Sequence, residues 1–187
     1  MESMTLPQPA GAEPSPDAAL IAAWQGGDEQ AAAELVRRHA RPLAQFLAGA
    51  GVPEAELEDV VQETFIRAFR ALGGFRGQCR FRTWLLAIGA NVARDQGRRA
   101  ARQHIVPLDD RILDRGGTPQ ELAEAGEAVD RLARGLRTLP RLQREVFLLR
   151  AQQGLEYAEI AVALKTSAGA ARVHYHHAVK RLKELVA

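Results

Sequence analysis

From Asp17 to about Arg102 the apolar residues of this chain recur every three or four positions, and the same spacing returns from about Gln120 to Ala187 after an interval in which it fails. A stripe with a 3.6-residue period is buried as one face of a helix, whereas strand faces alternate every two residues. The spacing therefore predicts an all-α protein of two small helical domains joined by a flexible linker. In the first domain, helices are expected over Asp17–Gln25, over Asp28 to about Ala50 with Pro42 as a point where it can bend, over Pro53–Leu72 and over Thr83 to about Arg99. Pro53 suits a first helical position, and Gly73-Gly74 ends the third helix. Pro107, Asp109-Asp110 and Gly116-Gly117 mark the interval from Gln103 to about Pro119 as linker. Four prolines in the first 16 residues mark a flexible tail. The resulting division is 1–16, 17–102, 103–126 and 127–187. With 47% apolar and 26% charged residues in 187, the chain is globular rather than disordered.

Charge is placed rather than spread. From Glu54 to Glu63 there are five carboxylates and no basic residue, whereas Arg67 to Arg102 holds nine arginines against the single carboxylate Asp95, in a chain whose net charge is only +2. Such local basicity is the footprint of a surface for a polyanion. On the wheel of the third helix Leu57, Val61, Thr64, Phe65, Ala68 and Leu72 share the inward face, and Asp59, Gln62, Glu63, Ile66 and Arg70 the opposite one. Ile66 among acids is how a protein contact surface looks, although a lone exposed isoleucine is also commonplace. On the fourth helix Leu85, Ile88 and Val92 form the inward stripe, with Trp84, Asn91, Asp95 and Arg98 on the stripe beside it. An aromatic face next to amides and carboxylates suits unpaired bases, which stack and offer free edges. A core tryptophan and a surface amide would account for the same residues.

In GLEYAEIAVALKTSAGAARVHYHHAVKRLKEL a short helix, Tyr157–Leu164, turns through Lys165 and Thr166 into a second helix that Ser167 can cap. This is helix-turn-helix spacing. Ala171, Tyr175, Ala178, Leu182 and Leu185 form the expected seam, leaving Arg172, Val173, His176, His177, Lys180 and Lys183 outward. Arg172 could take a guanine edge in a major groove, with Lys180, Arg181 and Lys183 on phosphates. Protonated imidazoles at His174, His176 and His177 would add attraction to phosphate, so duplex affinity is expected to weaken as pH rises from about 6 to 8. From Asp109 to Asp130 the charge is minus five, which suits either a nucleic-acid mimic or a solvated spacer.

Other chemistries find little support. No apolar run approaches the roughly 20 residues of a membrane helix, and a charged-then-apolar leader is missing at the N-terminus, so a cytoplasmic protein without membrane insertion is expected. Cys79, the single cysteine, has no disulfide partner. His174 and His176 point about 200° apart on a helix, so no metal site, cofactor or catalytic residue is assigned.

The segments DVVQETFIRAFRAL, FRGQCRFRTWLLAIGANVARDQGRR and LPRLQREVFLLRAQQGLEYAEIA, in this order, resemble the extracytoplasmic-function group of bacterial sigma factors, over about Ala18–Arg102 and Glu127–Leu185. The resemblance implies a region 2-like domain (17–102) and a region 4-like helix-turn-helix domain (127–187). It implies binding to the clamp coiled coil of core RNA polymerase through Asp59, Gln62, Glu63 and Ile66. Minus-ten melting and base capture would fall on Phe75, Arg76, Arg80, Phe81, Arg82, Trp84, Asn91 and Asp95, with Arg98 and Arg99 near the backbone. Minus-thirty-five recognition would fall on Ser167, Arg172, Val173, His176, His177 and Lys180, in a domain that also touches the polymerase flap. Most such factors are held inactive by an anti-sigma partner. The chain departs from the family where Lys165 stands in a turn that often has Gly, and where Glu156 stands for the usual Ser or Thr cap. The rivals are a helix-turn-helix regulator acting on duplex DNA without polymerase, and an enzyme using Cys79.

Overall fold

The computed structural model describes residues 16–77, 79–102 and 131–186, all helical or in short connections, with no strand among them. The expected linker, nearly all of the N-terminal tail, and Gln78 lie outside the described residues. Helix α1 (Ala18–Gln25) is followed by α2 (Glu29–Ala50), whose start is capped by Asp28 accepting the Gln30 N–H at 2.9 Å. Helix α2 runs through Pro42 and stops at Gly51, where φ is +96° and glycine avoids the left-handed penalty. Pro53 precedes α3 (Glu54–Ala71) at the cap, one position before the expected first turn, and a 3₁₀ turn at Leu72–Gly74 ends it. Helix α4 (Phe81–Arg102) starts two residues earlier than its periodicity suggested, because Phe81 joins the core.

Helices α1 to α4 close over Leu35, Leu43, Phe46, Leu47, Val60, Leu72, Phe81, Leu85 and Val92, each at most 1% exposed. Each large side chain buried here contributes about 1.5 to 3 kcal/mol toward holding the four helices together. The inward face of α3 centres on Val60, not Val61, which is only half-buried; on α4 Leu86 and Ala90 are buried and Ile88 is not. Thr64 keeps its place in the core by donating its hydroxyl to the Val60 carbonyl at 2.6 Å.

The second domain contains α5 (described over 131–138), α6 (Arg141–Phe147), a π turn (Leu148–Gln152), α7 (Tyr157–Leu164) and α8 (Ala168–Val186). Ser167 accepts the Ala170 N–H at 3.0 Å, as a cap should. Lys165 between α7 and α8 has φ +53° and ψ +51°, the left-handed conformation that makes a side chain unfavourable there. The Glu156 N–H at the start of α7 is taken up by the Glu159 carboxylate at 3.0 Å, so this start is better held than the residue at the cap suggested. Ala171, Ala178 and Leu182 form the α8 seam, but Leu185 is 49% exposed, because the seam drifts off its neighbours in the last turn.

The two domains are packed on each other, and one buried cluster runs through both. Leu148, 3% exposed, lies so close over Gly49 of α2 that an added Cβ there would stand 2.8 Å from its Cδ2. Gln153, carried past the end of the π turn, donates its Nε2 to the Pro42 carbonyl at 3.2 Å and accepts from the Arg82 guanidinium. Thr83 donates to Glu159 Oε1 at 3.1 Å, so Glu159 caps its own helix with one oxygen and reaches α4 with the other.

Candidate functional site

Helix α3 turns the residues between its core positions outward, so Asp59, Gln62 and Ile66 are exposed and Glu63 is partly so. Ile66 is 44% exposed, an uncovered apolar side chain on an acidic face. Beside it, α3 and α4 form a cleft of about 330 Å³ lined by Asp59, Glu63, Arg67, Val92, Asp95, Gln96 and Arg99. Arg67 Nε donates to Glu63 Oε1 at 2.7 Å and Arg67 Nη1 to Asp95 Oδ2 at 3.2 Å, while Arg98 donates to the other Asp95 oxygen. The hydrogen bond from Arg67 is the main reason the Asp95 carboxyl is held below the usual range, which favours its ionised, hydrogen-bond-accepting form. Asn91 presents its Oδ1 to Arg94 Nη1 at 2.9 Å. The four-residue spacing of Arg67 from Glu63 is legible in the sequence, whereas Asp95 joins it only through helix packing.

At the other end of α4, Trp84 is half-buried with Phe75 at 4.9 Å and Phe81 at 5.9 Å between ring centroids. Phe81 is fully buried beneath Trp84 and next to His39, so it is the floor of this aromatic group and not a DNA contact. Arg76 and Arg80 flank the group in the open, as do Arg98 and Arg99 farther along. Arg82, expected with the minus-ten residues, is instead half-buried against Gln153 of the second domain. Cys79 is half-buried, and burial pushes its thiol up, away from the thiolate a nucleophile needs.

On α8, Arg172, Val173, His176, His177 and Lys180 are exposed together, Val173 at 52%. The Arg172 guanidinium lies 5.2 Å from the Tyr157 ring centroid, which also holds Arg150 at 5.1 Å, so Arg172 is steadied at the mouth of the helix-turn-helix. Ser167 is engaged as the cap of this helix.

Residues 35–103 match the family described as Sigma-70 region 2, and residues 130–182 the family described as Sigma-70, region 4. The chain is 37% identical over 183 residues to the RNA polymerase sigma factor NccH of Alcaligenes xylosoxydans xylosoxydans, covering 93% of this chain and 96% of that one. It belongs to the extracytoplasmic-function group of sigma factors. The ECF RNA polymerase sigma-E factor of Escherichia coli (strain K12) is 34% identical over 166 residues, 83% of this sigma factor and 86% of that one. Among solved structures, CnrH in complex with the cytosolic domain of CnrY superposes with a TM-score of 0.68 at 34% identity, over 91% of this chain and 96% of that one. The sigma factor RpoE of Bartonella quintana, solved with the anti-sigma factor NepR, shares the fold with a TM-score of 0.70 at 21% identity, over 82% and 94%. No helix among the described residues of this sigma factor is long and apolar enough to cross a membrane.

Proposed function

We propose that this sigma factor docks on the clamp coiled coil of core RNA polymerase through Asp59, Gln62, Glu63 and Ile66. Its α4 face then holds the opened minus-ten strand with Phe75, Arg76, Arg80, Trp84, Asn91, Asp95, Arg98 and Arg99. Helix α8 reads the minus-thirty-five duplex with Arg172, Val173, His176, His177 and Lys180, Ser167 fixing its start. The observation that carries the reading is the pairing of an exposed acidic face around Ile66 with an arginine-lined, aromatic-ended helix across one cleft. The polymerase supplies the chemistry, so Cys79→Ala leaves transcription intact. The region 2 match disfavours a regulator that acts without polymerase, since such a protein has no use for the α3 face.

The closed arrangement of the domains matters to this reading. Two elements about 25 base pairs apart are separated by about 85 Å of duplex at 3.4 Å per pair. Helix α8, with 19 residues, is about 28 Å long, and it packs on α7, which packs on α4. Both elements cannot be read at once until the Gln153 and Glu159 contacts part. CnrH, 34% identical to this chain, was solved in complex with the cytosolic domain of CnrY, which supports a protein partner for this chain as well, an anti-sigma factor that would hold the domains closed.

The test is charge reversal on α3. Asp59→Arg with Glu63→Arg is expected to lower co-elution with core polymerase and promoter-dependent run-off transcription at least tenfold, while duplex binding by the same protein is kept. Undiminished transcription would favour the polymerase-independent regulator.

A further inference from the structure

Val173 is the most exposed large apolar side chain among the described residues, at 52%. Two residues on from Ala171, it stands about 200° round α8 from the buried seam of Ala171, Ala178 and Leu182, so it points straight out of the domain. Its neighbours on that face are polar: His176 and His177 one turn later and Lys180 two turns later, all exposed. Toward the helix N-terminus, where helical side chains lean, Val173 meets only Gly169 and Ala170 of its own helix. A β-branched side chain in a helix keeps one principal χ1 rotamer, so the two methyl groups form a fixed apolar knob.

On a face otherwise made of cations and imidazoles, that knob limits what can lie against it. A valine side chain neither donates nor accepts a hydrogen bond, so against guanine O6 and N7, adenine N6 or cytosine N4 it leaves a polar edge with neither water nor a partner. The 5-methyl group of thymine is the one apolar feature that a base pair presents in the major groove. Arg172, the residue before, is steadied 5.2 Å from the Tyr157 ring and carries the donors that a valine lacks. We infer that Val173 is a specificity-determining residue that packs on the 5-methyl group of one thymine in the minus-thirty-five duplex. This rests on the assignment of α8 to that duplex made above. Removing one methyl group from a contact of this kind corresponds to about a fourfold loss of affinity.

The test uses the full chain bound to core polymerase and fragments of a promoter mapped by transcription with this chain. Each thymine of the minus-thirty-five element, on either strand, is replaced in turn by deoxyuridine, which keeps the base pair and removes only the methyl group. One replacement should weaken binding about fourfold in the wild-type chain and have no effect in Val173→Ala, where the γ-methyl groups are gone. That variant keeps its fold, because the side chain is exposed and alanine favours a helix more than valine does. Cytosine in place of the same thymine should also weaken binding, and 5-methylcytosine should recover about fourfold, since it returns the methyl group to the same place in the groove. The inference is overturned if no deoxyuridine replacement costs affinity, if the cost is the same in Val173→Ala, or if 5-methylcytosine recovers nothing. Scrambling the minus-thirty-five element and Arg172→Ala separate the two levels. If neither weakens binding, the assignment of α8 fails and the methyl contact with it; if both do and no thymine depends on Val173, the methyl contact alone fails.

Discussion

Substituting Gly49 by alanine should open the molecule while making its first domain more stable. Within α2 the change removes a helix-interior glycine, which favours the helix by about 1 kcal/mol. Against the second domain the new Cβ would lie 2.8 Å and 3.1 Å from the two terminal carbons of Leu148, which at 3% exposure has no open space to swing into. Overpacking of this kind costs about 1 to 3 kcal/mol. The two domains can escape that cost by separating, giving up the hydrogen bonds of Gln153 to Pro42 and Arg82 and of Thr83 to Glu159. The closed-to-open equilibrium should therefore shift about 5- to 150-fold toward open, at 1.4 kcal/mol per factor of ten. Fluorophores on Gly73→Cys and Glu184→Cys, in a Cys79→Ala background, report the distance between the domains; both attachment sites are exposed. Gly49→Ala should lengthen that distance and strengthen binding to core polymerase. An unchanged distance in a protein that still melts cooperatively would refute the reasoning.

Lys165→Gly should stabilise the second domain by about 1 kcal/mol, since φ at this position is +53°; urea unfolding would show it, and a loss of stability would mean that Lys165 makes a contact of greater worth. Burial among α1, α2 and Phe81 holds His39 below its usual pKa despite Asp17 at 2.9 Å, so the folded state favours the neutral ring. Its contribution is whole above about pH 6.5, the unfolded value, and is lost as pH falls through the lowered folded value. Thermal melts from pH 7.5 to 5 should fall accordingly, and His39→Gln should flatten the fall.

Much of this molecule is legible from spacing, because a helix face is a local property. The bounds of α7, the Ser167 cap, and the outward sets on α3 and α8 all follow from residues within a few positions of one another. The misplacements occur where a neighbouring element decides. Val60 rather than Val61 is buried because α3 is covered from the side of α2 and α4, and Phe81 is buried because the core reaches past the helix start that periodicity suggested. Leu185 continues the seven-residue pattern of α8, but it is only half covered there. The interdomain contact was invisible for a stronger reason. Gly49, Arg82, Thr83, Gln153 and Glu159 carry no shared pattern, and their meeting depends on pairs more than 70 residues apart, such as Thr83 and Glu159.

The central claim is that α3 grips polymerase while α4 captures the opened strand, and permanganate footprinting of unpaired thymines tests it most directly. Wild-type chain with core polymerase should make thymines around the minus-ten element reactive. Trp84→Ala combined with Asp95→Ala should still co-elute with polymerase yet leave those thymines protected. Full reactivity in that variant would contradict the account.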